Sequence, residues 1–99
     1  MVEIAERDDM DIKQYRDQIN SLDEQIVALI EKRMDAASGI GLEKKRQGLP
    51  VFDVVREAER IETVKALTTN ENYREHIGNI YRKIMDETKL VEQHLIDME

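Results

Sequence analysis

The chain has no cysteine and no tryptophan, and only one proline, four glycines and two histidines in 99 residues. Without cysteine there is no disulfide, no thiolate metal site and no thiol nucleophile. His76 and His94 stand 18 residues apart, which leaves metal chemistry almost nothing to work with. Long hydrophobic runs are missing too. Nothing approaches the roughly 18–20 apolar residues of a membrane span, and MVEIAERDDMD lacks the basic start and apolar stretch of a signal peptide. The expected location is the cytoplasm. Positive charge is in deficit, 15 Lys and Arg against 22 Asp and Glu for a formal −7, and mean hydropathy is −0.62. A soluble acidic chain is a poor partner for nucleic acid.

Apolar residues make up 40% of the chain, but only Tyr15, Phe52, Tyr73 and Tyr81 are aromatic. A core of Ile, Leu, Val, Met and Ala favours packed helices. From Ile12 a stripe steps through Tyr15, Ile19, Leu22, Ile26, Leu29, Arg33, Ala36 and Ile40, alternating three and four residues. Asp9 or Asp11 can cap its start, and Gly48 followed by Leu49 and Pro50 ends it: Gly48 takes the left-handed conformation, Leu49 covers the last turn and Pro50 cannot continue. A second helix begins at the N-cap Asp53, with Val54, Ala58, Ile61 and Val64 or Leu67 inward. Thr68 and Glu71 read as a capping box for a third, whose stripe is Tyr73, Ile77, Ile80, Ile84, Thr88, Val91, Leu95 and Met98. The fold class is all-α, with one long, one short and one medium helix over about residues 11–47, 54–67 and 70–97. Residues 1–10, net −3, are expected to be a flexible acidic leader to a single helical domain over 11–99.

A helix over 11–47 is roughly 55 Å long at 1.5 Å per residue, whereas a compact chain of this size has a radius of gyration near 13 Å. It must overhang its own domain. An overhanging apolar stripe needs a second surface, most simply another copy around a two-fold axis, so an intertwined six-helix homodimer is expected.

The informative residues interrupt the stripes. Arg33 sits between Leu29 and Ile40, where a cation is costly unless paired or solvated. Lys44, eleven residues on, returns to within about 20° of Arg33, roughly 16 Å along the axis. Between them stand Ala36, Ala37, Ser38, Gly39 and Gly41, and each mid-helix glycine costs about 1 kcal/mol relative to alanine. Residues 32–46 carry five cations against two anions inside a −7 chain. A gap flanked by Arg and Lys suits a small dianion. The same pattern also suits lysines complementing a helix dipole and glycines permitting close packing, and on pattern alone both readings stand. Thr88 and Glu92 are neighbours on one face of the third helix, although a stripe threonine is more often bonded back to its own helix. Asp53, Arg56, Glu57 and Arg60 read as a capped, salt-bridged surface helix, except that Glu57 shares the inward spacing of Val54 and Ile61.

Together, Arg16 in Tyr15–Asp23, Arg33 in Leu29–Arg33, Lys44, the run Pro50–Glu57 that reads Pro-x-x-Asp-x-x-Arg-Glu, and Thr88 with Glu92 resemble the all-helical class of chorismate mutase. The resemblance spans about residues 12–96. It implies three helices per chain in an interlocked dimer, and conversion of chorismate to prephenate, in phenylalanine and tyrosine biosynthesis, without covalent intermediate, cofactor or metal. Carried over, Arg33 and the partner's Arg16 hold the two carboxylates of the substrate. Lys44 reaches a carboxylate and the ether oxygen. Glu57, helped by the backbone around Asp53, accepts the substrate hydroxyl; Arg56 supports this cluster and Thr88 touches the ring carboxylate. Many relatives have glutamine where this chain has Glu92, and a carboxyl must be protonated to donate to the ether oxygen. The expected catalytic set is Lys44, Glu92 and Arg33.

Two other readings are weighed beside it. One is an isochorismate-pyruvate lyase with a similar cation-lined pocket, which the Pro-x-x-Asp-x-x-Arg-Glu run fits less well. The other is a non-catalytic helical dimerisation or regulatory module, which leaves inward cations and Glu57 unexplained. A shikimate-pathway enzyme is a further candidate partner.

Overall fold

A computed structural model describes residues 11–98; the expected leader and Asp9 lie outside them. Three helices follow one another: α1 (Ile12–Gln47), α2 (Val54–Leu67) and α3 (Glu71–Asp97), with no strand among the described residues. The chain divides into two units, Met1–Arg33 and Met34–Glu99, and α1 runs through both.

In the first unit, α1 opens on a reciprocal cap. Asp11 Oδ1 accepts from the Gln14 amide at 2.9 Å, and Gln14 Oε1 accepts from the Asp11 amide at 2.8 Å. This satisfies two of the amide groups that a helix start leaves without partners in the ladder. The apolar residues here, Ile12, Ile19, Leu22, Ile26 and Leu29, are all at least half exposed.

In the second unit, α1 ends as its sequence requires. Gly48 takes φ +70°, its amide donates to the Lys45 carbonyl, and the Leu49 amide donates to the Lys44 carbonyl at 2.8 Å. That pairing of bonds is a Schellman close, and glycine carries it without a Cβ penalty. Leu49 itself is half exposed. Asp53 caps α2 by accepting from the Arg56 amide at 3.0 Å.

The start of α3 departs from expectation. Thr68 closes α2 instead of opening α3: its amide donates to the Lys65 carbonyl and its hydroxyl to Val64. With Thr68 committed there, Asn70 is the residue left in extended conformation before α3, and its side chain caps the Asn72 amide at 2.9 Å. The Thr68–Glu71 capping box is not formed.

The expected stripe is buried on α2 only at Ile61 and Val64, and on α1 and α3 the buried face is turned from it. On α2, Ile61 and Val64 are buried while Val54, Ala58 and Leu67 are exposed. On α3 the buried residues are Gly78, Met85, Thr88 and Glu92, whereas Tyr73, Ile80 and Met98 are exposed. That face lies roughly 80° around the helix from the apolar stripe. On the last part of α1, Ala37 and Gly41 are buried and Ile40 is half exposed. Small and polar residues therefore join Ile61, Val64 and Met85 in facing the chain's own helices, and many large apolar ones face out.

Charge and close approach join α2 to α3. A Cβ on Gly78 would stand 3.0–3.1 Å from Lys65 Cδ and Cγ, so the glycine lets the lysine stem cross. Lys65 Nζ then meets Glu75 at 2.9 Å, which holds the Glu75 carboxyl below the usual carboxylate range. That contribution is present above this range and lost as pH falls through it. Glu75→Gln should therefore reduce the fall in melting temperature between neutral pH and about pH 3; a wild-type-like profile would show that the pair adds nothing. Ile61→Ala, which empties a core position, should lower unfolding free energy by about 2–5 kcal/mol in urea titrations.

Candidate active site

Within Met34–Glu99, the end of α1 meets α3 around Gly41. The Glu92 side chain lies against it: a Cβ there would stand 3.2 Å from Glu92 Cγ and 3.3 Å from Glu92 Cβ. Glycine eases the close approach here, where a Cβ would make Glu92 give by a few tenths of an ångström, whereas a Cβ on Gly39 would meet nothing within 4 Å. One turn past Gly41, Lys44 Nζ donates to the Val51 carbonyl at 2.9 Å and stands 3.9 Å from Glu92 Oε1. The Lys44 carbonyl is meanwhile bound in the Schellman close, so this residue ties the helix end to the 48–53 linker at both ends.

Thr88 and Glu92 are the buried polar residues of this unit's interior, each 7% exposed. The Thr88 hydroxyl donates to the Ile84 carbonyl at 2.7 Å, the back-bond expected of a mid-helix threonine. Such a hydroxyl keeps its lone pairs as acceptors.

On α2, Glu57 is half-buried and pairs with Lys89 of α3, Oε1 to Nζ, at 3.1 Å. Lys89 also stands 3.5 Å from Asp86 and 5.3 Å from the centre of the Phe52 ring. The hydrogen bond that Lys89 donates to Glu57 is the main reason that the Lys89 ammonium is held above the ordinary lysine range. Lys89 is absent from the residues that spacing singles out. Its signal is positional: it follows Thr88 and precedes Glu92 by three, on the polar edge of the same face.

Asp53, Arg56, Arg16 and Arg33 are the other expected residues. Asp53 serves as a helix cap, and Arg56 gives its amide to that cap while its side chain is exposed. Arg16, exposed, and Arg33, half-buried, belong to the first unit. The structure thus brings Lys44 to Glu92 with Thr88 one turn away, and it brings Glu57 to Lys89. No group of three or more His, Asp or Glu that could hold a metal occurs among the described residues, nor does a helix long and apolar enough to cross a membrane. A separate cleft of about 480 Å³ near the α2–α3 turn, lined by Arg60, Leu67, Tyr73 and Tyr81 among others, includes none of the expected site residues.

A lysine at a helix end, a buried threonine and carboxylate one turn apart, and a second carboxylate paired with its own lysine can bind and orient an anion. They offer no nucleophile activated by a neighbouring base. Residues 15–93 match the family model described as chorismate mutase type II. The chain belongs to that family. Among curated proteins, this chain is similar to the T-protein of Haemophilus influenzae, 37% identical over 60 residues. That similarity covers 56% of this chain and 16% of the T-protein, so the chain spans only a small part of that relative's length. No solved structure matches the chain.

The two glycines of α1 separate packing from helix propensity. Gly39→Ala should raise stability by up to about 1 kcal/mol. Gly41→Ala should return none of that gain, because the new methyl displaces Glu92. Equal thermal shifts for the two variants would show that Gly41 is not kept for close approach.

Proposed function

We propose that this chain rearranges chorismate to prephenate, a concerted step in which a C–O bond breaks as a C–C bond forms. The observation that carries the reading is the meeting of Lys44 with buried Glu92, one turn from buried Thr88, in a chain whose residues 15–93 match the family. No covalent chemistry is needed, so the protein's work is orientation and electrostatics. Lys44 leaves the Val51 carbonyl for the incoming dianion and places positive charge where the ether oxygen gains electron density. Glu92, protonated, donates to the same oxygen. Thr88 touches the ring carboxylate, and Glu57 accepts the substrate hydroxyl, with Asp53 and Arg56 holding the start of α2.

Arg33 and an Arg16 donated by a second copy hold the two carboxylates. The working unit is accordingly an intertwined six-helix homodimer in the cytoplasm, using no cofactor or metal and feeding phenylalanine or tyrosine synthesis. The exposed apolar residues of Ile12–Leu29 support it, since such a stripe needs a covering surface. Residues 11–99 act as one catalytic domain, and another shikimate-pathway enzyme is a candidate partner.

Following chorismate loss and prephenate formation tests the reading directly; release of pyruvate would assign a lyase, and an inert protein a binding module. Lys44→Ala should lower kcat by about 10²–10³. Arg16→Ala and Arg33→Ala should each remove most activity with helicity intact, and mixing the two inactive proteins should restore some; no recovery despite subunit exchange would refute a shared site. Turnover should fall as Glu92 ionises with rising pH, and Glu92→Gln should flatten that dependence.

A further inference from the structure

Glu57 poses an electrostatic difficulty for the reading above. A carboxylate that accepts the hydroxyl of a dianion also repels that dianion, and at half burial the repulsion is not fully screened. The chain answers with Lys89, 32 residues away and on another helix. Its Nζ contacts Glu57 Oε1 at 3.1 Å, with lysine and glutamate side chains about equally sheltered at 28% and 27% exposure. The contact occupies one carboxylate oxygen, leaving Oε2 to accept from a bound hydroxyl. Phe52 beneath the ammonium and Asp86 beside it keep the lysine over α2. Cation–π attraction at this distance adds to the hold.

We propose that Lys89 is a positioning residue for substrate recognition: it neutralises Glu57 toward the dianion and fixes which carboxylate oxygen meets the substrate hydroxyl. This rests on Glu57 being that acceptor. Lys89 itself touches no substrate atom, so its effect passes through Glu57 alone.

A double-mutant cycle on the full chain reads this out. Lys89→Met should raise the KM for chorismate about tenfold, the loss of one charge-assisted contact, with kcat changed less. Lys89→Arg should recover most of that loss. In a Glu57→Gln background, Lys89→Met should cost less than twofold, because no carboxylate remains to be neutralised. Lys89→Gln, which keeps a polar side chain, serves if the methionine variant folds poorly by circular dichroism. Losses that multiply across the cycle, or an unchanged KM in the single variants, would overturn the inference while wild-type turnover leaves the mutase reading standing. A wild type that does not rearrange chorismate would overturn both.

Discussion

A charge turned toward a protein interior must be met there, because desolvation costs more than any packing around it can return. The second unit is organised by that constraint. Lys44 is met by the Val51 carbonyl and by Glu92, Glu57 by Lys89, and Lys65 by Glu75. Each of these joins one element to another, so the ion pairs also set where the end of α1, α2 and α3 stand. The apolar core is correspondingly small, with Ala37, Ile61, Val64 and Met85 its buried members. Glycine makes the arrangement sterically feasible at Gly41 under Glu92 and at Gly78 under Lys65. In both places the space a side chain would fill is occupied by a charged residue's stem, which explains why helix interiors carry residues of poor helix propensity.

Thr88 and Glu92 show how the same constraint shapes the candidate site. A threonine bonded back to Ile84 is satisfied and needs nothing further, so its burial by itself argues only for structure. A glutamate one turn on, 7% exposed and 3.9 Å from a lysine, is different, since an apolar residue would pack there at less cost. Retaining a carboxyl beside a lysine at that point is consistent with electrostatic work on an anion. For a concerted rearrangement such work is all that a protein must supply, which is why a chain without cysteine can be read as an enzyme.

Element type, helix limits and most caps were legible in the sequence. The structure gives Ile12–Gln47, Val54–Leu67 and Glu71–Asp97 where periodicity and punctuation suggest about 11–47, 54–67 and 70–97. Gly48, Asp53 and Asp11 act through bonds that close within a few residues, so neighbouring residue types suffice to identify them. Thr68 was misread because two helices compete for one short linker, and only the geometry of the turn decides which helix it serves. Family membership was legible too: the resemblance carried by residues 12–96 falls on the residues 15–93 that match the family model.

Tertiary structure alone decided which face of each helix is buried. Periodicity locates apolar residues, yet a helix can carry an apolar stripe on one side and turn its small and polar residues toward its own chain, as α3 does with Tyr73 and Ile80 outside and Thr88 and Glu92 inside. It alone also supplied Lys89, whose partner is 32 residues away. Local sequence determines helices because their hydrogen bonds span four residues; it leaves long-range pairing open because an ion pair between two helices depends on where both are placed.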